Sequence, residues 1–278
     1  MKDAYDYCEA LVRERDRERF IAALFAPSVK RPDLFALYAF DLEIAHIADA
    51  VREPMAGEIR FQWWREALEG KREEEAKANP VAASILATAA RHDLPRELLL
   101  AVVDARTRDL DAISFETVED LIAYADATAA ATAALAATIL GARNPAISQA
   151  ALHAGRALTI SDFLRTFARD VARGRLRVPL DLLAAQGVHT VSVASGENSE
   201  GLRAALRVLQ ERALEEYARL RRVDVPPELL AAFLTLSLIP RHLAVMSHGN
   251  YNPFHTSLEL SRLRAQFMIW RAARRGAI

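Results

Sequence analysis

The side chains best spaced for chemistry in this chain are carboxylates one helical turn apart. Asp162, Thr166 and Asp170 recur at i, i+4 and i+8, a spacing that puts their oxygens in one stripe on one helix face. Such a stripe can hold a hard divalent cation, or it can be neutralised by arginines as an ion-pair lattice. Both partners are at hand. Asp49, upstream, offers a facing carboxylate for a weak cation site, while Arg52, Arg165 and Arg173 offer pairing for Asp49 and Asp170. Glu43 and His46 form a Glu-x-x-His pair of the type used by di-iron bundles. That architecture needs a second copy and two further glutamates, and no second copy exists, so a polar helix edge is the better reading. His242, His248 and His255 are six and seven residues apart, which does not align them on one helix face; a helix end followed by a loop is expected. Cys8 is the single cysteine, so an intramolecular disulfide and a cysteine-built zinc site are both excluded.

These groups must be positioned by helices. Ala, Leu, Glu and Arg fill long stretches, while only 10 glycines and 11 prolines punctuate them. Helix starts are expected at or near Pro32, Pro54, Pro80, Pro95, Thr117, Pro145, Pro179, Ser199 and Pro227, with a stop at Gly70. This predicts roughly ten helices in one all-α domain spanning 1–278. The β-like run Val188 to Val193 is too short and isolated to found a sheet, and Val193 to Gly201 reads as a surface loop. Lys71 to Lys77 reads as a solvated, charged helix end. Of the adjacent Trp63 and Trp64, only one can face the core well. The apolar stretches Ala127 to Ala142 and Leu229 to Pro240 fall short of the ~20 strongly apolar residues of a membrane span, and read as core helices.

The totals agree with a globular protein: 278 residues, 52% hydrophobic, 26% charged. A chain of this length buries roughly three quarters of its unfolded surface. The formal net charge is −1, so no global field recruits nucleic acid, which is not expected as a partner. Lys2, Asp3 and Asp6 interrupt the first residues, so no secretory signal is expected; with a lone cysteine, a cytoplasmic location follows. The segment Leu258 to Arg275 mixes Phe267, Met268, Ile269 and Trp270 with five arginines. It is either a last helix docked on the core or a basic amphipathic helix resting on an anionic membrane, which would place the protein at the periphery of the inner membrane.

Three segments resemble the squalene/phytoene synthase family, in order and over about Arg17 to Met246. The first runs from Phe35-Ala-Leu-Tyr-Ala-Phe40 through Asp49 to Gln62-Trp-Trp-Arg-Glu-Ala-Leu68. The second is Phe115-Glu-Thr-Val-Glu-Asp-Leu121 with Tyr124 and Leu140-Gly141. The third runs from Leu164-Arg165 through Arg173-Gly-Arg175 to Pro179-Leu-Asp-Leu-Leu183. The resemblance implies the all-α isoprenoid-synthase fold, with helices around a central cavity. It also implies head-to-head joining of two prenyl diphosphates, with magnesium held by an aspartate motif on each of two facing helices.

Set against that family, the chain lacks most of the carboxylates. Aligned on Tyr38-Ala-Phe40, the first motif reads Ala45-His46-Ile47-Ala48-Asp49. The second, anchored on Arg173-Gly-Arg175, reads Thr166-Phe167-Ala168-Arg169-Asp170. Only the last acid of each survives, Arg169 reverses a charge, and Leu42 stands where the family has an arginine. Too few oxygen ligands remain for a magnesium cluster, so no cofactor is expected, and Asp49 and Asp170 are the only metal candidates left. No catalytic residue can be named. The resemblance carries over Tyr38, Asp49, Asp162, Arg165, Asp170 and Arg175 as residues of a relict substrate pocket. This eroded pattern resembles the branch of the family that includes the mitochondrial complex I assembly factor. That branch implies a non-catalytic role in assembling respiratory NADH dehydrogenase, with a subunit or assembly protein as partner. The alternatives are an active magnesium-dependent prenyl transferase using Asp49, Asp162 and Asp170, and a carrier that binds a prenyl lipid without chemistry.

Overall fold

The computed structural model of the protein describes residues 2–144 and 146–278. Proline has a fixed φ and no N–H to waste in a first helical turn, and the expected proline starts are helix starts. α1 (Lys2–Arg15) and α2 (Arg17–Ala23) lead into α3 (Arg31–Ala50), with Pro32 in its first turn. α4 (Pro54–Leu68) ends at Gly70, whose φ is +80°. α5 (Glu73–Ala78), α6 (Pro80–His92) and α7 (Arg96–Ala105) follow. Thr117 and Asp120 form a reciprocal capping box that opens α8 (Val118–Ala125). A π-helical turn, Asp126–Ala130, carries α8 without a break into α9 (Ala131–Leu140).

Pro145, expected as a start, lies outside the described residues; the helix after it, α10 (Ala146–Ala172), is 27 residues long. α11 (Leu180–Ala185), α12 (Thr190–Ala194) and α13 (Glu200–Leu220), capped by Ser199, come next. Two 3₁₀ segments, Pro227–Ala232 and Leu234–Leu238, precede α14 (Ile239–Leu243) and α15 (Arg262–Arg275).

There are more helices than the expected ten in part because α5, α11, α12 and α14 are five or six residues long, too short for a periodicity to register. The β-like run Val188 to Val193 is mostly α12. With no partner strand to satisfy its backbone, the segment closes its own hydrogen bonds and turns Val193 into the core while Val191 stays 76% exposed. Among the described residues the single strand-like pairing is a bridge between Ile113 and Leu176.

α3 is the central post. Asp33 through Asp41 are buried without interruption, enclosed by α1, α6 and α9. α10 packs along α13 on one side and along the π-turn and α9 on the other. That second contact is unusually close. A Cβ on Gly155 would lie 2.2 Å from the Ala130 amide nitrogen, so only glycine fits. The continuous helix Val118–Leu140 is 23 residues long and, by length and composition, apolar enough to cross a membrane, contrary to the reading of Ala127 to Ala142 above. Over half of its most apolar stretch is buried against protein, as in a core helix. A smaller apolar cluster, with Ala22, Leu234, Leu238, Ala265 and Ile269, docks α15 on α2 and the second 3₁₀ segment.

Candidate functional site

The helices enclose a central cavity of about 120 Å3. One wall is apolar, with Ala154, Leu158, Phe163, Ala231 and Leu236. The other is polar, with Arg19 from α2, Tyr38 and Asp41 from α3, Arg106 from the turn after α7, Tyr124 from α8 and Asp162 from α10. The π-turn, packed against Gly155, sets Thr128 and Ala129 on the lining.

A buried ion-pair lattice runs through the polar wall. The Asp16 carboxylate caps α2 and accepts from Arg19 Nε at 2.5 Å; Arg19 Nη1 donates onward to Asp41 Oδ2 at 2.7 Å. Arg106 reaches Asp41 Oδ1 at 3.4 Å and donates to the Tyr124 hydroxyl at 2.8 Å. That hydroxyl in turn donates to Asp109 at 3.0 Å. Arg177 donates to Asp109 at 2.7 Å and lies 3.5 Å from Asp170. Burial alone would raise the Asp41 carboxyl, but Arg19 and Arg106 overcome it and hold the group below its usual range. Tyr38 is pushed up to about 12, chiefly by burial. Arg106 Nε and Thr132 Oγ1 on this lining are buried with no hydrogen-bond partner within the protein.

Of the six residues carried over by resemblance, Tyr38 and Asp162 line the cavity. The Asp162 carboxylate accepts from Arg165 at 3.1 Å. Burial raises its proton affinity, with Arg165 pulling the other way. Arg165 sits beside the cavity rather than on it, 3.1 Å from Asp162, 3.2 Å from Glu259 and 3.9 Å from Glu18. Asp170 and Arg175 line a separate narrow crevice. Asp170 accepts from Thr166 Oγ1 at 2.5 Å. Asp49 lines neither space: Arg175 Nη1 holds it at 2.5 Å and Arg173 Nη1 at 3.2 Å. Ion pairing was the alternative for Asp49 and Asp170, but the partners differ from those expected. Arg175 and Arg173 replace Arg52, and Arg177 replaces Arg173 and Arg165, because the segment after α10 folds back across α3.

Among the described residues, no three His, Cys, Asp or Glu side chains gather so as to hold a metal ion. The family's chemistry is normally magnesium-dependent, and these side chains do not fit that ion: Asp49, Asp162 and Asp170 are each within ion-pair reach of at least one arginine. Glu43 and His46 line a different, open groove beside Trp63 and Trp64, with Arg15 and Arg60. Trp64 is buried against Phe40, whereas Trp63 donates its indole N–H to Glu75 in the charged Lys71 to Lys77 stretch. His242 is buried at the end of α14, with its imidazole pushed down to about 4 by burial and, secondarily, by Arg165. His248 and His255 are exposed.

Sequence reasoning missed Arg19, Asp41, Arg106, Asp109 and Arg177. One signal was available. Asp41 interrupts an apolar helix, and a carboxylate in a buried helix demands a cationic partner.

The squalene/phytoene synthase family model matches residues 12–266. A Rattus norvegicus protein named NADH dehydrogenase (ubiquinone) complex I, assembly factor 6 is 28% identical over 259 residues, covering 92% of this chain and 78% of its own. Its Homo sapiens namesake is 28% identical over 255 residues, covering 91% and 77%. Phytoene synthase of Rhodobacter capsulatus is 25% identical over 256 residues, covering 88% and 74%. Among solved structures, a dehydrosqualene synthase in complex with ligand aligns with a TM-score of 0.85 at 18% identity, covering 99% of this chain and 96% of that one. Squalene synthase from Alicyclobacillus acidocaldarius aligns with a TM-score of 0.71 at 22% identity, covering 99% and 94%. The structural likeness establishes the all-α isoprenoid-synthase fold, and the family match decides the rest: this chain belongs to the squalene/phytoene synthase family.

Proposed function

We propose that this protein is a non-catalytic member of its family that acts in assembling a respiratory NADH dehydrogenase. The observation that carries the reading is the pairing of Asp49 and Asp170, the last acids of the two motifs, with Arg175, Arg173 and Arg177. A diphosphate-bound magnesium cluster needs carboxylate oxygens free to bind metal. Here arginines occupy them, and Arg169 adds a further positive charge on α10. The relatives named complex I assembly factor 6 supply the direction. The partner is then a subunit or assembly protein of that complex, and the location is the cytoplasm, at the periphery of the inner membrane.

Cavity size supports the same reading. A cavity of 150 Å3 accommodates one benzene ring, and this one, at about 120 Å3, is too small for two prenyl chains. An apolar wall facing Arg19, Arg106 and Thr132 does suit one end of a single prenyl lipid with a polar head, which keeps the carrier reading as a second form of the same proposal.

Deleting the gene and resolving membrane complexes on native gels tests the assembly role: loss of assembled NADH dehydrogenase is expected, and normal assembly refutes it. Purified protein with magnesium and farnesyl or geranylgeranyl diphosphate should release no pyrophosphate. Release would establish instead the prenyl transferase built on Asp49, Asp162 and Asp170.

A further inference from the structure

We propose that α15 docks the protein on an anionic lipid surface through a face that the fold leaves uncovered. The helix has two apolar faces. One, with Ala265, Ile269 and Ala272, is buried on the body of the protein. The other is exposed: Leu263 is 79%, Phe267 56% and Trp270 47% accessible. At ~100° per residue these three, with Arg274, fall within about 60° of one another and opposite the buried face. Phe267 and Trp270 stack at 5.9 Å, and the Arg274 guanidinium lies over the Trp270 ring at 5.8 Å.

Charge selects the occupant. Arg262, Arg264, Arg271, Arg274 and Arg275 are all exposed and, among the described residues, none forms an ion pair. No acidic residue follows Glu259. What sets α15 apart is the concentration of this charge: five exposed arginines and no carboxylate within its 14 residues, beside an exposed apolar stripe, suit a surface of negative charge. Arg264, Arg271 and Arg275 fall within about 40° of one another along one flank of the exposed stripe. Aromatic and aliphatic side chains sit at the boundary between headgroups and acyl chains while flanking arginines meet anionic headgroups, and α15 carries that arrangement while its inner face stays docked. This inference does not depend on the assembly role.

The test uses the full chain with vesicles of phosphatidylcholine, alone or with about a third phosphatidylglycerol. Co-sedimentation with the anionic vesicles is expected, at least ~10-fold stronger than with neutral ones and weakened by added salt. Each arginine near such a surface is worth about fivefold, so R264Q/R271Q/R275Q should lose on the order of 100-fold, and Phe267→Glu with Trp270→Glu should abolish binding. Trp270→Phe should keep binding but lose the vesicle-induced blue shift in tryptophan emission. Equal binding to neutral and anionic vesicles, or no binding to either, overturns the proposal. So does self-association of the free protein that Phe267→Glu disrupts without any effect of lipid, since the face would then belong to a second copy.

Discussion

Replacing Asp41 with asparagine tests whether the lattice is what holds the centre of this fold. The Asp41 side chain is 6% exposed and is shared by Arg19 at 2.7 Å and Arg106 at 3.4 Å. Asparagine keeps the shape and removes the charge, leaving two buried guanidinium groups facing each other across the cavity wall. Breaking a buried pair costs about 3–5 kcal/mol; because Arg19 keeps Asp16 at 2.5 Å and Arg106 keeps the Tyr124 hydroxyl at 2.8 Å, the lower end, about 3 kcal/mol, is expected here. In a chain of this size that is on the order of 10 °C in melting temperature. Asp104→Asn is the internal control. Arg65 lies 2.5 Å from Asp104, yet that carboxylate is 58% exposed, so the loss should stay below about 1 kcal/mol. Urea unfolding at neutral pH measures both. The pH dependence follows from the depressed Asp41 carboxyl. Its stabilisation is present above the ordinary carboxylate pKa and is lost as pH falls below about 4, a loss that Asp41→Asn should lack. Equal destabilisation by the two variants would refute the reasoning, since Arg19 and Arg106 would then be finding solvent rather than depending on Asp41.

Two further outcomes follow from other parts of the structure. Gly155→Ala puts a methyl 2.2 Å from the Ala130 nitrogen, and separating α10 from the π-turn should cost about 1–3 kcal/mol, read as a lowered urea midpoint. Glu18 is pushed up to about 7 by burial, with Arg165 opposing, so the folded protein keeps a proton that the unfolded chain releases. Stability should therefore fall as pH rises from about 4.5 to 7. Glu18→Gln should flatten that slope in urea midpoints measured across the range, and an unchanged slope would place the titration elsewhere.

How much of this was legible without the structure depended on whether the signal was local. Pro32, Pro54 and Pro80 act within one helical turn, and the Thr117–Asp120 box closes within four residues, so their roles could be read directly. The register of Asp162, Thr166 and Asp170 was equally visible because it is a property of one helix. Partner choice was not. Asp49 is bound 126 residues away by Arg175, and no spacing rule relates positions brought together by the return of a segment after α10. The short helix α12 was misread because a β-branched run carries the same composition in a strand and in a lone helical turn. Arg177 stayed hidden because, on paper, nothing distinguishes it from Arg173.

The pairing also explains why the last acid of each motif could remain while the leading positions are Ala45, His46 and Thr166. Asp49 follows the last buried residue of α3, and Asp170 lies in the last turn of α10; both are held by the segment from Arg173 to Arg177, whose Leu176 bridges to Ile113. Each carboxylate therefore joins a post of the fold to one strap. Restoring acids at Ala45 and Thr166 alone would add charge beside a lattice already complete, and Asp49 and Asp170 would still be held by their arginines. A metal would have to compete with Arg173, Arg175 and Arg177 for those two carboxylates, and withdrawing Arg177 removes the shortest ion pair of Asp109, which is 3% exposed. The arginines that hold Asp49 and Asp170 thus also brace the ends of α3 and α10, so freeing those two carboxylates would cost stability.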